Sequence, residues 1–223
     1  MTLRATAYKI KTRIKRFFSK PPFRPKYRTM GNYWVQELDF QRYDLRMEYF
    51  LELCKGKKVL HFGCTDWPIF KPHQNLHIQL APHTELLHGF DIDIQGIENL
   101  KKYVDQAYFT HVDQLGDTQY DVCIIPETIE HVDNVSQFLG SLEHVNAEKF
   151  VITAPNCFSP EVMKRNYLKT NSFIEVVHPD HNYWFSPYTL NNVIRKYSKL
   201  EVSRTVLLAK DTMVSCEAVK RTE

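Results

Sequence analysis

Four short apolar runs constrain the fold of this chain most: Val59 to Phe62, Leu86 to Ile92, Tyr120 to Ile125 and Phe150 to Thr153. Runs of this length, bounded by turn residues, fit strands buried on both faces. Helical periodicity fills the gaps at Gln95 to Val104 and Val135 to His144. His73 to Pro82 is mixed and fits a short helix, and Ala107 to Val112 is a weak strand. Alternating β and α units predict an α/β fold, a doubly wound and mostly parallel sheet with helices on both faces. Upstream, a helical pattern runs from Phe40 to Cys54 through Tyr43, Met47, Phe50 and Leu51 until Lys55-Gly56-Lys57-Lys58 stops it. Downstream, Pro155-Asn156 ends the fourth run, a loop-rich stretch reaches Pro187, and a helix follows to about Tyr197. Leu200 to Leu208 and Thr212 to Val219, joined by Ala209-Lys210-Asp211, predict a closing hairpin that adds an antiparallel strand.

Charge divides the chain. Residues 1 to 28 carry ten basic and no acidic residues; of 29 basic and 26 acidic in total, 19 and 26 remain for the rest, a net of −7. Leu3, Ala7, Ile10, Ile14, Phe17 and Phe18 recur at helical spacing, so residues 3 to 19 predict a basic amphipathic helix, broken by Pro21, Pro22 and Pro25. Residues 1–30 therefore stand apart as a leader, and 31–223 as one domain. An anionic membrane surface, a nucleic-acid contact, a transit peptide and a poorly ordered tail all remain open for the leader. No apolar run approaches the roughly 18 residues of a membrane span, and no secretory signal is visible. Five cysteines without close spacing argue against a disulfide framework or zinc cluster. The expected location is a reducing compartment, the cytoplasm, with peripheral membrane attachment through the leader as an option.

After Tyr120 to Ile125 and Pro126 comes Glu127-Thr128-Ile129-Glu130-His131-Val132. If a helix starts there, Glu127, Glu130 and His131 fall at i, i+3 and i+4 on one face, able to hold a metal or carry acid–base chemistry. The structural alternative is a helix start whose acids favour the dipole. The carboxyl end of such a strand is where open α/β sheets bind ligands. Gly63 ends the first apolar run and permits close approach of a ligand to the backbone. Asp91 ends the second, placed to hydrogen-bond a ribose.

VLHFGCTD (residues 59 to 66) resembles the first motif of class I S-adenosylmethionine-dependent methyltransferases, and GFDID (89 to 93) the second. YDVCIIPETIEHV (120 to 132) resembles their fourth-strand motif and FVITAPN (150 to 156) the fifth; HPDHNYWFSPYTL (178 to 190) is similar to the stretch before the last helix. The resemblance implies a Rossmann-like sheet of seven strands, the last antiparallel. It places His61, Gly63 and Cys64 at the methionine part of S-adenosylmethionine, Asp91 at the ribose with Asp93 close by, and Thr110, His111, Val112 or Asp113 at the adenine. Pro126 and Glu127 fall near the methyl group. The chain departs from the family in having His61 where an acid is usual, and Thr65 and Trp67 where glycines are.

The ExxEH arrangement is also similar to that of small-RNA 2′-O-methyltransferases and ubiquinone-biosynthesis O-methyltransferases, which implies a divalent cation (Mg²⁺, Mn²⁺ or Fe²⁺) on Glu127, Glu130, His131 and His181, with His178 able to replace His181. Three function classes follow. The first is O-methylation of a small hydroxylated or sugar (glycan) acceptor, with His131, Glu130 or Glu127 handling the proton. The second is RNA 2′-O-methylation with a metal, opposed by the acidic body. The third is a binding protein that has lost catalysis. An NAD-dependent oxidoreductase would want GxGxxG, which is absent.

Overall fold

The computed structural model describes residues 28–30, 33–66 and 68–221; the predicted helix at 3 to 19 and Trp67 lie outside them. The chain divides into two units, Met1–Asp39 and Phe40–Glu223. In the first, β1 (Arg28–Met30) and β2 (Tyr33–Val35) form an antiparallel pair.

The second unit is built on an eight-stranded sheet. Its strands are β3 (Gln41–Tyr43), β4 (Lys58–Phe62), β5 (Leu86–Phe90), β6 (Tyr108–Phe109), β7 (Tyr120–Ile125), β8 (Ala147–Pro155), β11 (Leu200–Leu208) and β12 (Met213–Lys220). Two short strands, β9 (Tyr167–Lys169) and β10 (Ser172–Ile174), pair separately. The order across the main sheet is β3-β11-β12-β8-β7-β4-β5-β6, and only β12 runs antiparallel to its neighbours. The expected seven strands are all present; β3 adds an eighth at the edge. Connections lead outward from β4 through β5 to β6, then cross back to β7. The switch point of the sheet is therefore between β4 and β7, where a crevice forms.

Helices α1 (Arg46–Cys54), α2 (Leu76–Leu80), α3 (Ile94–Leu100), α4 (Val135–Ser141), α5 (Pro160–Met163) and α6 (Pro187–Tyr197) complete the unit. Side chains of β7 alternate as a strand buried on both faces requires. Cys123 and Ile125 join one core with Leu139 of α4 and Leu190 and Ile194 of α6. Val122 and Ile124 join the other, with Tyr49, Phe50 and Leu53 of α1 and Leu76 and Leu80 of α2. Ile124 is fully buried, so its truncation to alanine would cost about 2–5 kcal/mol.

Two expectations need correction. The helical pattern from Phe40 to Cys54 breaks into β3 and α1. Residues 41–43 pair in parallel with Val206–Leu208, and Tyr43 accepts the Ala209 amide at 3.0 Å, so strand pairing overrides the local periodicity. Residues 127–131 are turns, not the start of a helix. The closing hairpin is confirmed, and Ala209, Lys210 and Asp211 all adopt left-handed φ (51°, 58°, 65°). Its carbonyls hold the strained turn: Ala209 accepts the Thr212 amide and hydroxyl, and Asp211 accepts the Asn156 side-chain amide at 2.9 Å.

Candidate functional site

The turn after β4 brings backbone close to ligand space. Gly63 has φ 68° and donates its amide to Phe90 O at 2.8 Å. A Cβ on Gly63 would overlap Thr128 Oγ1, which itself donates to Pro126 O at 3.0 Å. Only glycine meets both the dihedral and the contact. Thr65 takes up the acid that ends β5: its amide and hydroxyl donate to Asp91 Oδ2 at 3.1 and 2.9 Å, and the Asp93 amide donates to Asp91 Oδ1 at 3.0 Å. A carboxylate has about four acceptor sites, so Asp91 keeps capacity for a ligand. Asp93 caps α3, accepting the Gly96 amide at 3.1 Å.

Two cavities open at this end of the sheet. One, of about 680 Å³, is bounded by Phe62, Phe90, Thr110, His111, Val112 and Phe138 among others. The second, of about 530 Å³, is bounded by Thr65, Asp66, Asp93, Glu127, His178 and His181 among others. Gly63, Asp91, Ile92, Thr128, His131, Val132 and Asp180 line both, so they form the wall the cavities share. Both volumes lie in the usual range for small-molecule sites, roughly 300–1,000 Å³.

The segment 127–131 does not present its side chains on one face. Glu127 has φ 43°. Its amide extends the sheet by donating to Thr153 O at 3.2 Å, and its carboxylate accepts Thr153 Oγ1 at 2.5 Å and Arg46 at 2.5 Å. Glu130 turns inward. It is fully buried, and neither carboxyl oxygen has a partner among the described residues. Burial, reinforced by the Glu127 charge, pushes its carboxyl up to about 8, so at neutral pH it is a neutral acid.

His131 faces the cavities. Its Nδ1 lies 3.1 Å from Asp180 Oδ2, and its ring meets His181 edge-on at 4.5 Å and His178 at 5.4 Å. Main-chain bonds clamp the two segments: Asn182 N donates to Glu130 O at 2.7 Å, and the Asn182 side-chain amide donates to His131 O at 3.0 Å. Ligand atoms of His131, His178 and His181 all lie within 4.8 Å of one another. This is the donor set the structure gathers; Glu127, held by Arg46, and the buried Glu130 do not join it. Burial, then the neighbouring His131 and His178, lowers the His181 imidazole from its ordinary value, and its Nδ1 has no partner among the described residues.

Of the other residues singled out from sequence, His111 lines the larger cavity with Thr110 and Val112; Asp113 does not. Pro126 lines neither cavity. Cys64 is buried against Gly89, its carbonyl accepts Asn75 Nδ2 at 3.0 Å, and burial raises its thiol well above the ordinary value. His61 lines neither cavity. It is buried with Nδ1 3.3 Å from His77 Nδ1, while its neighbours Leu60 and Phe62 join the α4 and α6 core. Periodicity missed Arg46 and the pairing of Asp180 with His131. Asp180 stood in the motif but carried no role there, and Arg46 had no local signal, since its partner is 81 residues away.

No protein-family model and no curated protein sequence matches the chain. Solved structures do. A chain of the Pnkp1/Rnl/Hen1 RNA repair complex aligns with 78% of this chain at TM-score 0.53 and 17% identity; the match spans 41% of that chain's length. A SAM-dependent methyltransferase from Aquifex aeolicus aligns over 80% of this chain and 91% of its own, at TM-score 0.56 and 14% identity. An S-adenosylmethionine-dependent methyltransferase from Clostridium acetobutylicum aligns over 78% and 87%, at TM-score 0.52 and 8% identity. At such identities the likeness is one of fold. The chain has the α/β fold of the S-adenosylmethionine-dependent methyltransferases.

Proposed function

We propose that this chain transfers a methyl group from S-adenosylmethionine to a hydroxyl of a small acceptor such as a sugar, with His131 as the general base. The observation that carries this reading is the His131–Asp180 pair on the wall common to both cavities. Gly63, Asp91 and His111 suit the cofactor: the first lines both cavities, the second has spare acceptor capacity, and the third borders the larger cavity. The cofactor supplies an electrophilic methyl group when bound. The protein's task is to align an acceptor oxygen and remove its proton. Asp180 accepts from His131 Nδ1–H, which fixes the tautomer and leaves Nε2 free to take that proton. Glu130, neutral beneath the site, adds no charge that would compete. The Arg46–Glu127–Thr153 bonds fix the backbone from which the segment projects.

Calorimetry with S-adenosylmethionine tests the reading: binding abolished by Asp91→Ala supports it. Absence of heat and of any thermal shift would favour a binding protein without catalysis.

A second reading rests on the three imidazoles. His131, His178 and His181 would hold a divalent cation, and a set without carboxylates suits Zn²⁺ or Fe²⁺ better than Mg²⁺. Metal analysis of protein purified without a histidine tag separates the two readings. Stoichiometric metal together with chelator-sensitive activity selects the cation; metal-free activity selects the base. An RNA acceptor is disfavoured by the net −7 of residues 29–223, against a phosphate backbone that asks for positive charge.

A further inference from the structure

Between β8 and α6 the chain leaves the sheet for an excursion that contains α5 and the β9–β10 hairpin. Its apolar side chains are not core. Phe158, Met163, Tyr167, Leu168, Phe173 and Val176 are all more than half exposed. Leu168 and Phe173 are direct cross-strand partners, 80% and 63% exposed, and so form one apolar ridge. A hairpin of two three-residue strands cannot stabilise itself by such a ridge. Scattered exposed hydrophobics are ordinary, but six on one nineteen-residue excursion, two of them directly paired, mark a surface that meets something.

The charges around the ridge identify the occupant. Lys164, Arg165 and Lys169 lie among the apolar residues. Lys164 pairs with the exposed Glu161 at 2.9 Å, and that bond and charge, then Arg165 and Lys210, hold the Glu161 carboxyl below its ordinary range, so Arg165 and Lys169 carry the charge left over. The other acid of the excursion, Glu175, accepts Trp184 Nε1 at 2.6 Å. Protein interfaces are depleted in lysine, and a second copy would bring like charges together. A lipid interface accepts both features, because the apolar tips enter the acyl boundary while lysine and arginine stems reach anionic headgroups.

We propose that residues 158–176 are a docking surface for an anionic lipid bilayer, with the Leu168–Phe173 ridge inserted and Arg165 and Lys169 at the headgroups. The excursion departs from Asn156 at the carboxyl end of β8 and returns at His178, so docking brings the sheet end that carries both cavities to the lipid. The ten basic residues of 1–28 add positive charge for the same kind of surface. The proposal does not depend on the catalytic reading.

The test is co-sedimentation of the full chain with phosphatidylcholine vesicles, with and without phosphatidylglycerol. Binding is expected only when phosphatidylglycerol is present, and Leu168→Glu/Phe173→Glu should weaken it at least about tenfold. Both positions are exposed, so circular dichroism and Tm should stay at wild-type values. Leu168→Trp should show a blue shift on the same vesicles beyond that of the wild-type chain, which already carries three tryptophans. Binding by the double variant equal to wild type, or no binding to either vesicle, overturns the proposal. So does a dimer in light scattering that the double variant disperses, because the ridge would then be an interface between copies.

Discussion

Replacing Gly63 by alanine tests the geometry of the turn after β4 with no ligand present. Two penalties are built into the position. At φ 68° an alanine pays about 1–2 kcal/mol for the left-handed region, offset by about 0.4–1 kcal/mol from a stiffer unfolded chain. The new methyl also overlaps Thr128 Oγ1, whereas Thr128 Cβ and Cγ2, each 3.4 Å from it, are far less crowded. Overpacking of this kind adds about 1–3 kcal/mol. The net cost is therefore about 1–5 kcal/mol. Thr128→Ala removes the hydroxyl and leaves the Cβ, so in that background Gly63→Ala should cost only the dihedral part, roughly 1 kcal/mol. The double-mutant cycle, read by urea unfolding followed by circular dichroism, should return a coupling of about 1–3 kcal/mol. A coupling under about 0.5 kcal/mol would refute the reasoning, because the turn would then relax away from Thr128 at no cost.

His131→Ala should lower kcat by about 10²–10⁴ and leave cofactor affinity at the wild-type value by calorimetry; equal loss of both would assign the residue a structural role. Asp180→Asn should cost kcat about tenfold or more by upsetting the tautomer, with Tm unchanged. Arg46→Met should destabilise by about 1–2 kcal/mol, since its ion pair with Glu127 is only partly buried; Tm at wild type would detach Arg46 from the site's support. Acid stability should carry the mark of His77, whose imidazole is pushed by burial down to about 3. Its folded pKa is depressed, so the unfolded chain binds more protons between about 6.5 and 3, and stability falls as pH drops through that window. The loss is on the order of 1.4 kcal/mol per pH unit, about 5 kcal/mol at most. His61, 3.3 Å from His77 and also lowered well below its ordinary value by burial, adds to the same limb, so His77→Gln should make it shallower in a series of melts; an unchanged limb would place the protonation elsewhere.

The sheet could be read from sequence because each of its central strands is buried on both faces and so appears as an unbroken apolar run. Val59 to Phe62 and Tyr120 to Ile125 need no partner information to be recognised. Gln41 to Tyr43 differ in kind. As an edge strand, β3 is exposed, carries Gln41 and Arg42, and exists through its pairing with β11, which lies more than 160 residues away. Local periodicity merged it with the helix that follows. Leu45, at the N-cap of α1, makes no side-chain cap bond, so no stop signal separated the two.

The site shows the same division more sharply, with a chemical consequence. Helical spacing would group Glu127, Glu130 and His131, and two carboxylates beside one imidazole read as a hard-cation site. Thr153 and Arg46 instead fix Glu127 at positive φ, a conformation in which no right-handed helix can begin. The turn that results buries Glu130 and leaves His131 to be met from the far side by the 178–182 loop. The acid beside His131 is thus Asp180, and its other neighbours are His178 and His181. An imidazole oriented by a carboxylate is a base; one joined by two more imidazoles is a ligand to a borderline metal. Both descriptions depend on a contact 49 residues distant. The surroundings of His131 were therefore fixed by the loop before the last helix, while the hexapeptide after β7 fixed only where that imidazole stands.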